Sequence, residues 1–426
     1  MTLCLGLMSG TSMDGVDAAL LETDGETHLV SRGGSFFPYP RIFQILLKVA
    51  EWAARLAQGD PLAAESLFSK SWRAYTTRLQ IHDAELTALE QEACHYLNEQ
   101  LSLKLAKPTF SAVIQCSTHL HRQACERLLH QQGLNTSDID LIGYHGQTLY
   151  HNPPQGISWQ AGDGQALANA LRVNVIGHFR QQDIDHGGQG APLTPLYHYA
   201  LVNHETLYPA AIINCGGIAN VSVVLSGAIG DLNAFDAGPG NVLLDRLISQ
   251  ATGGLKRYDH DGELALRGTV SCDGLALLHA HALPAGFLNQ LPPKSLDSHD
   301  CHLPEGFEQL ALEDALATLA AFTADCLVKS LLNAFSNTRH LKHVILAGGG
   351  WYNAVILREF KHRLSAHMNA KIQISSASQL GWQQDLLEAE AFAYLAKRSL
   401  LGLTLSLPLT TGIHSAKTGG TCFYPQ

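Results

Sequence analysis

Apolar and polar positions along the chain fall into short strand-like runs and longer helical stretches. Leu3 to Met8 is apolar, Ser9 to Gly15 supplies turn residues, and Val16 to Leu21 is apolar again apart from Asp17, which predicts a hairpin with a polar tip. From Ile42 to about Leu105 apolar residues recur at helical spacing, as at Ile45, Leu46, Val49, Trp52 and Leu56, and again at Leu86, Leu89, Ala93, Tyr96 and Leu97. Helices therefore fill that stretch. The period then changes: Ile139 to Tyr144 reads as a strand ending in His145-Gly146-Gln147, and Val173 to Ile176 as another. Ala210 to Asn214, Val221 to Leu225 and Val344 to Ala347 are further β-branched runs near glycines, with helices at Leu243 to Ala251 and Leu312 to Phe335 between them. Strands alternating with helices predict an α/β architecture. The change of pattern places a domain boundary near 138, giving 1–138, with part of the C-terminal segment packing back on it, and 139–426.

The 426 residues allow roughly two to four domains. Hydrophobic residues at 46% and charged residues at 15% describe a folded chain and exclude extended disorder. Twenty-eight Lys plus Arg against 38 Asp plus Glu leave a net charge of −10, and there is no long basic run, so nucleic acid is excluded as a partner. The apolar runs, such as Leu400 to Leu409, are interrupted and fall short of the about 18 residues of a membrane helix. Met1 to Met8 lacks the basic region of a signal peptide. Nine cysteines, none spaced C-x-x-C, fit neither a disulfide framework nor a zinc ribbon and suit a reducing cytoplasm.

Neither a G-x-G-x-x-G motif nor a P-loop is present. Four other Gly-rich loops carry the candidate phosphate chemistry: Gly10-Thr11-Ser12-Met13-Asp14-Gly15-Val16-Asp17, Asn214 to Asn220 with Gly216 and Gly217, Phe235 to Asn241 with Gly238 and Gly240, and Gly348-Gly349-Gly350. Glycines let backbone N–H groups approach phosphate oxygens, and hydroxyls add donors. A carboxylate beside a phosphate cradle is costly unless a hard cation such as Mg²⁺ lies between them, which makes Asp14, Asp17 and Asp236 the candidate metal ligands. Any one of these loops alone also reads as a turn whose Asp caps local N–H groups; four together favour phosphate binding. Phe179 to Leu193 joins carboxylates, an imidazole and a Gly-rich turn ahead of a helix start, a suitable place for a general base. Asp183 as a helix cap and His186 as a surface residue fit the same pattern equally well. The 22 histidines show no H-E-x-x-H and read as scattered solvated residues.

In their order along nearly the whole chain, these blocks resemble the anhydro-N-acetylmuramic acid kinases, members of the acetate and sugar kinase, actin and heat-shock chaperone superfamily. The resemblance rests on Gly6 to Asp17, His145-Gly146-Gln147-Thr148 with His151, Pro153, Gln160, Gly162 and Asp163, and Phe179-Arg180 with Asp183 and Gly187 to Leu193. It continues through Asn214 with Gly216 to Val221, Phe235-Asp236 with Gly238 to Asn241 and Asp245, Lys294-Ser295, Gly348 to Gly350 with Asn353, Glu388-Ala389 with Ala391 to Ala393, and Thr411-Gly412. It implies a two-domain, actin-like ATPase fold of the sugar kinases, with α/β domains flanking a cleft, and a homodimer in the cytoplasm. It also implies ATP-dependent opening of the 1,6-anhydro bridge of anhydro-N-acetylmuramic acid to the 6-phosphate of N-acetylmuramic acid, in cell-wall recycling, with water as co-substrate. Under it Asp183 is the general base, Gly10 to Asp17 and Gly216-Gly217 contact phosphates, Gly348 to Gly350 with Asn353 lie on the adenosine side, and Gln189 and Glu388 face the sugar.

The chain departs from the family pattern at Leu296-Asp297-Ser298, His178, Cys215, Ala347 and Asp185-His186. Three other functions compete: a hydroxyl kinase for another amino sugar, a non-catalytic ATP-gated module, and a glycoside hydrolase pairing Asp183 with Asp185 or Asp236.

Overall fold

The computed structural model describes residues 1–78, 83–334, 341–367 and 372–426, and they gather into two units, 1–200 with 386–426 and 201–385. The chain crosses between units inside the helix Pro195–His204 and again at Asp385.

Unit 1 opens with β1 (Thr2–Ser9), β2 (Gly15–Thr23) and β3 (Leu29–Pro38), followed by α1 (Arg41–Leu56), α2 (Pro61–Arg78), α3 (Asp83–Leu101) and α4 (Phe110–Gln132). The predicted hairpin is present, with Met8 opposite Asp17. Thr109 caps α4 through its side chain, which accepts from Ala112 N, and Gly133, at φ 67°, ends the helix in the left-handed conformation open to glycine. Next come β4 (Leu141–Asn152), β5 (Ile157–Ala161), α5 (Gly164–Leu171), β6 (Asn174–Gly177), α6 (Phe179–Asp185) and α7 (Pro195–His204). The strand read at Ile139 to Tyr144 runs on to Asn152 and turns back along β5.

Unit 2 holds β7 (Ala210–Cys215), β8 (Ile218–Val224), β9 (Leu232–Pro239), α8 (Val242–Ala251), α9 (Cys272–His281), α10 (Leu312–Ala334), β10 (His343–Ala347), α11 (Ala354–His367) and β11 (Gln373–Ser376). The helix end read at Phe335 lies just outside the described residues. The chain returns to unit 1 with α12 (Leu387–Leu400) and β12 (Thr421–Phe423).

The boundary read near 138 is corrected to Ala200 and Leu201. β4 pairs in parallel with β1, so residues after 138 complete the first sheet instead of starting a second. A parallel partner can lie anywhere along the chain, and local pattern carries no mark of it.

The two sheets share one topology. In unit 1 the order is β6-β4-β1-β2-β3, with β12 beside β6 and β5 beside β4; in unit 2 it is β11-β10-β7-β8-β9. Strand senses match as well: β1/β2 and β2/β3 are antiparallel and β1/β4 and β4/β6 parallel, as are their counterparts β7/β8, β8/β9, β7/β10 and β10/β11. Turns equivalent in the two units therefore follow β1 and β7, the strands that open the Gly10 and Gly216 loops. This two-unit α/β architecture is the fold that the resemblance implies.

Both sheets are buried, so β1, β7 and β10 read as almost unbroken apolar runs. α10 corrects the reading that no apolar segment reaches membrane length: at 23 residues it is long and apolar enough, the one such helix among the described residues. It is nonetheless a core helix, with Leu316, Leu319, Phe322, Cys326 and Leu327 inside the unit 2 cluster. All nine cysteines are free thiols.

Candidate active site

Catalytic groups in a sheet of this kind collect beyond the carboxyl ends of the parallel strands. In unit 1 those ends are Ser9 on β1, the stretch after Gly143 on β4, and Gly177 on β6, which leads through His178 into α6.

Asp183 lies in the last turn of α6 and is 2% exposed. Gly190 N donates to its Oδ2 at 2.6 Å, and Thr411 Oγ1 donates to its Oδ1, also at 2.6 Å. Glycine is required at 188, because a Cβ there would stand 2.1 Å from Asp183 Oδ2. The Gly187 to Gly190 loop thus wraps one edge of the carboxylate, and the C-terminal segment covers the other. Two short donors, one on each oxygen, orient the carboxylate as a positioned base requires. Asp185 is exposed and accepts from Gln181 Nε2 at 2.7 Å, so the two carboxylates of α6 serve different surroundings. His186 is exposed, its Nδ1 2.7 Å from Gln182 O. Gln189 is half-buried in the base loop and donates its N–H to Thr411 O at 2.8 Å.

Arg180, one turn before the base, braces this loop. Its Nη1 donates to Gly190 O at 3.0 Å and its Nε to His145 Nε2 at 2.8 Å. His145 Nδ1 lies 2.6 Å from Gly146 O. An Arg donor on Nε2 and a carbonyl at Nδ1 require the neutral Nδ1–H tautomer. Burial, seconded by the Arg180 charge, holds the His145 pKa well below the usual histidine range.

The Gly10 to Asp14 turn is pinned from β4. Gln147 Nε2 donates to Gly10 O at 3.0 Å, and Ser9 Oγ lies 2.6 Å from Gln147 Oε1 and 2.9 Å from Gly15 O. Met13 closes the turn with its N–H on Gly10 O and a φ of 54°, its side chain buried at 1% exposure. Thr11 and Ser12 stay exposed, and Ser12 Oγ donates to Asp14 Oδ1 at 2.5 Å. Val16 and Asp17 belong to β2, Val16 buried and Asp17 half-buried.

In unit 2 the predicted loops converge on the carboxyl ends of β7 and β10. Gly240 N and Val242 N donate to Gly217 O, and Asn241 N to Gly216 O. Cys215 stands at the centre: a Cβ on Gly350 would lie 2.3 Å from its Sγ, and one on Gly240 3.3 Å. Burial pushes its thiol up to about 12, so it remains a protonated packing group. Asn353 is an N-terminal cap of α11, its Oδ1 accepting from Val355 N at 3.0 Å and Ile356 N at 3.2 Å.

The predicted glycines accordingly serve two purposes. A Cβ on Gly10 or Gly216 would find no neighbour closer than 3.7 Å, and on Gly349 none within 4 Å, which suits backbone facing a ligand. Gly15, Gly238, Gly240, Gly348 and Gly350 are glycine because the protein itself approaches closely: a Cβ would meet Phe37 O, Cys326 Cβ, Gly216 O, Asn214 Oδ1 and Cys215 Sγ, all within 2.8 Å.

Asp236 Oδ2 accepts from Leu296 N at 2.8 Å, while Asp236 N donates to Lys294 O at 2.9 Å. The altered segment after Ser295 thus lies directly on this Asp. Lys294 is buried, its Nζ on Phe287 O and Ser330 Oγ and 4.5 Å from the Phe287 ring centroid; burial lowers its pKa to about 8. Asp245 on α8 is pushed up by burial to about 7. Among the described residues no three His, Cys, Asp or Glu side chains form a metal cluster. A Mg²⁺ ion bound through phosphates needs only one or two protein carboxylates, so that absence does not bear on it.

Glu388 stands half-buried in the first turn of α12. Two residues later Glu390 is buried, accepts from Tyr197 OH at 2.8 Å and has its pKa raised by burial. The sequence reading did not assign roles to Thr411, Arg180, His145 or Gln147. All four lie in blocks that resemble the family, but their partners are fixed by distant pairings.

Comparison with known proteins follows the same blocks. The family model described as anhydro-N-acetylmuramic acid kinase matches residues 2–95 and 105–425. A protein of that name from Methylorubrum populi is 37% identical over 424 residues, covering 99% of this chain and 98% of its own. Another from Zymomonas mobilis is 35% identical over 429 residues, covering 99% of this chain and all of its own. Among solved structures, component A of the (R)-2-hydroxyglutaryl-CoA dehydratase of Acidaminococcus fermentans aligns with a TM-score of 0.44 at 10% identity, over 94% of this chain and 100% of that chain.

Proposed function

Since the chain belongs to the anhydro-N-acetylmuramic acid kinase family and is a sugar kinase, we propose that it couples hydrolysis of 1,6-anhydro-N-acetylmuramic acid to phosphorylation by ATP, giving N-acetylmuramic acid 6-phosphate and ADP. The observation that carries this reading is Asp183, a buried carboxylate with a donor on each oxygen, in the same unit as the Gly10 to Asp14 turn.

In the proposed reaction Asp183 takes a proton from water as the water oxygen bonds to the anomeric carbon. The bond from that carbon to O6 breaks, and O6 takes the γ-phosphoryl group as its bond to the β-phosphate oxygen breaks. Backbone N–H groups at Gly10 and Gly216-Gly217 and the Thr11 and Ser12 hydroxyls would hold phosphate oxygens, Gly348 to Gly350 with Asn353 the adenosine side, and Gln189 and Glu388 the sugar. Gly349 is the open position in the adenosine loop; Asn353 would act through the α11 terminus that it caps. Asp14 and Asp17 in unit 1 and Asp236 in unit 2 are the candidate ligands for magnesium, which would supply charge neutralisation at the phosphates. The role is peptidoglycan recycling in the cytoplasm, by a homodimer.

The test is incubation with Mg-ATP and the anhydro sugar in ¹⁸O-labelled water, followed by mass spectrometry. Labelled 6-phosphate with stoichiometric ADP is expected, and Asp183→Asn should abolish it while still binding ATP. Labelled free sugar without ADP would instead mark a hydrolase, and unlabelled sugar phosphate a hydroxyl kinase.

A further inference from the structure

We propose that Thr411 is a positioning residue for this reaction, holding the Asp183 carboxylate in the plane at which it meets the attacking water; the proposal rests on the reading of Asp183 as base. A carboxylate turns about its Cβ–Cγ bond in a broad well, so a single hydrogen bond leaves its plane loosely set. Gly190 N–H fixes Oδ2, and the Thr411 hydroxyl supplies the second point, on Oδ1.

The segment around Thr411 is built to deliver that hydroxyl. Ser406 and Lys417 exchange backbone hydrogen bonds at 3.0 and 3.1 Å, which closes the loop between them. Within it the two adjacent threonines divide the work. Thr410 uses its hydroxyl locally, accepting from Leu407 N at 3.2 Å and donating to Leu407 O at 3.1 Å. Thr411 turns its hydroxyl to the base, while its carbonyl accepts from Gln189 N at 2.8 Å. One residue thereby ties the base and the loop around it to the same support. Thr411 is 0% exposed, so its proton is not shared with bulk water.

Polar side chains elsewhere on α6 and β4 have partners of their own. Arg180 bonds Gly190 O and His145, Gln181 bonds Asp185, and His151 lies 2.9 Å from Ser158 Oγ. Loss of the Thr411 hydroxyl leaves Oδ1 without that donor and Gly190 N–H alone to set the carboxylate plane.

Valine matches threonine in shape and lacks the hydroxyl, so Thr411→Val separates aiming from packing. Steady-state kinetics of the full-length enzyme with Mg-ATP and the anhydro sugar should show kcat reduced about 10- to 100-fold, with both KM values within about twofold of wild type. Thr411→Ser, which restores the donor, should return kcat to within about threefold. Wild-type kcat in Thr411→Val, or a rise in KM with kcat unchanged, would overturn the proposal. Should Thr411→Val fail to fold, Thr411→Cys keeps the volume with a weaker donor; an intermediate loss of kcat supports the proposal and wild-type kcat overturns it. Asp183→Asn measured in parallel separates the two ideas: turnover in that variant removes the base reading, whereas an inactive Asp183→Asn beside a fully active Thr411→Val removes only the role of Thr411.

Discussion

Gly6 and Gly143 stand opposite each other in register on β1 and β4, and the backbone of α12 lies directly over both. A Cβ on Gly6 would fall 1.8 Å from Ala389 O, and one on Gly143 2.0 Å from Phe392 O. Two side-by-side glycines make a groove in the sheet, and the small residues Ala389 and Ala393, one turn apart, let the helix settle into it. This packing sets the depth at which α12 carries Glu388.

Filling the groove should therefore destabilise unit 1. Gly143→Ala is expected to cost about 3 kcal/mol, since the clash is with backbone that no rotamer change can relieve. Urea unfolding followed by fluorescence gives the value; a loss below about 0.5 kcal/mol would mean that α12 backs away freely.

Gly188→Ala should act on catalysis more than on stability. The added methyl would lie 2.1 Å from Asp183 Oδ2 and must push the carboxylate or the loop aside. A fall in kcat of about 100-fold, with ATP affinity retained in calorimetry, is the expected result. Retention of wild-type kcat would show that the base tolerates displacement.

His145 should stay neutral across the physiological range. Burial and Arg180 both oppose its protonation, and Arg180 already donates to Nε2. Nitrogen NMR of selectively labelled protein should report an Nδ1–H imidazole that does not titrate between about pH 5 and 8, unlike ordinary histidines near 6.5. A titration step in that window would contradict the assigned tautomer and the brace built on it.

Asp245 gives the unit 2 stability a pH dependence with a defined sign. Its folded pKa, raised to about 7 by burial, exceeds the unfolded value of about 3.9. Between these values the folded state keeps a proton that the unfolded state has released. The contribution is thus fully present below about pH 4 and is lost as pH rises through about 7. Asp245→Asn, neutral and nearly isosteric, should gain about 1–3 kcal/mol relative to wild type between pH 4 and 8. Denaturant midpoints at the two pH values test it, and parallel curves would refute it.

The pH behaviour of Asp245 was not legible in its residue type, because burial sets it. The cap that Asn353 makes on α11 is hidden similarly: beside three glycines its residue type shows only a turn. The Gly-rich loops were visible as loops, but which glycines face open space and which face neighbouring backbone depends on packing. β3 and β5 were not anticipated, since β3 mixes exposed polar residues and two glycines into its run and β5 is only five residues long.

By itself the sequence determined the local pieces: the β1/β2 hairpin and its polar turn, the strands around Ile213, Val221 and Ile345, the helix at α8, and the α/β alternation. These follow from apolar periodicity and turn chemistry acting over a few residues. Through its ordered blocks it also determined the family. Tertiary structure alone decided the unit boundary, the shared topology of the two sheets and the surroundings of the base. Cys4 pairs with Leu141 across parallel strands, and Thr411 reaches Asp183 from 228 positions away. Contacts between such distant residues are selected by how whole sheets and segments bury their surfaces together, and no short window of sequence contains that information.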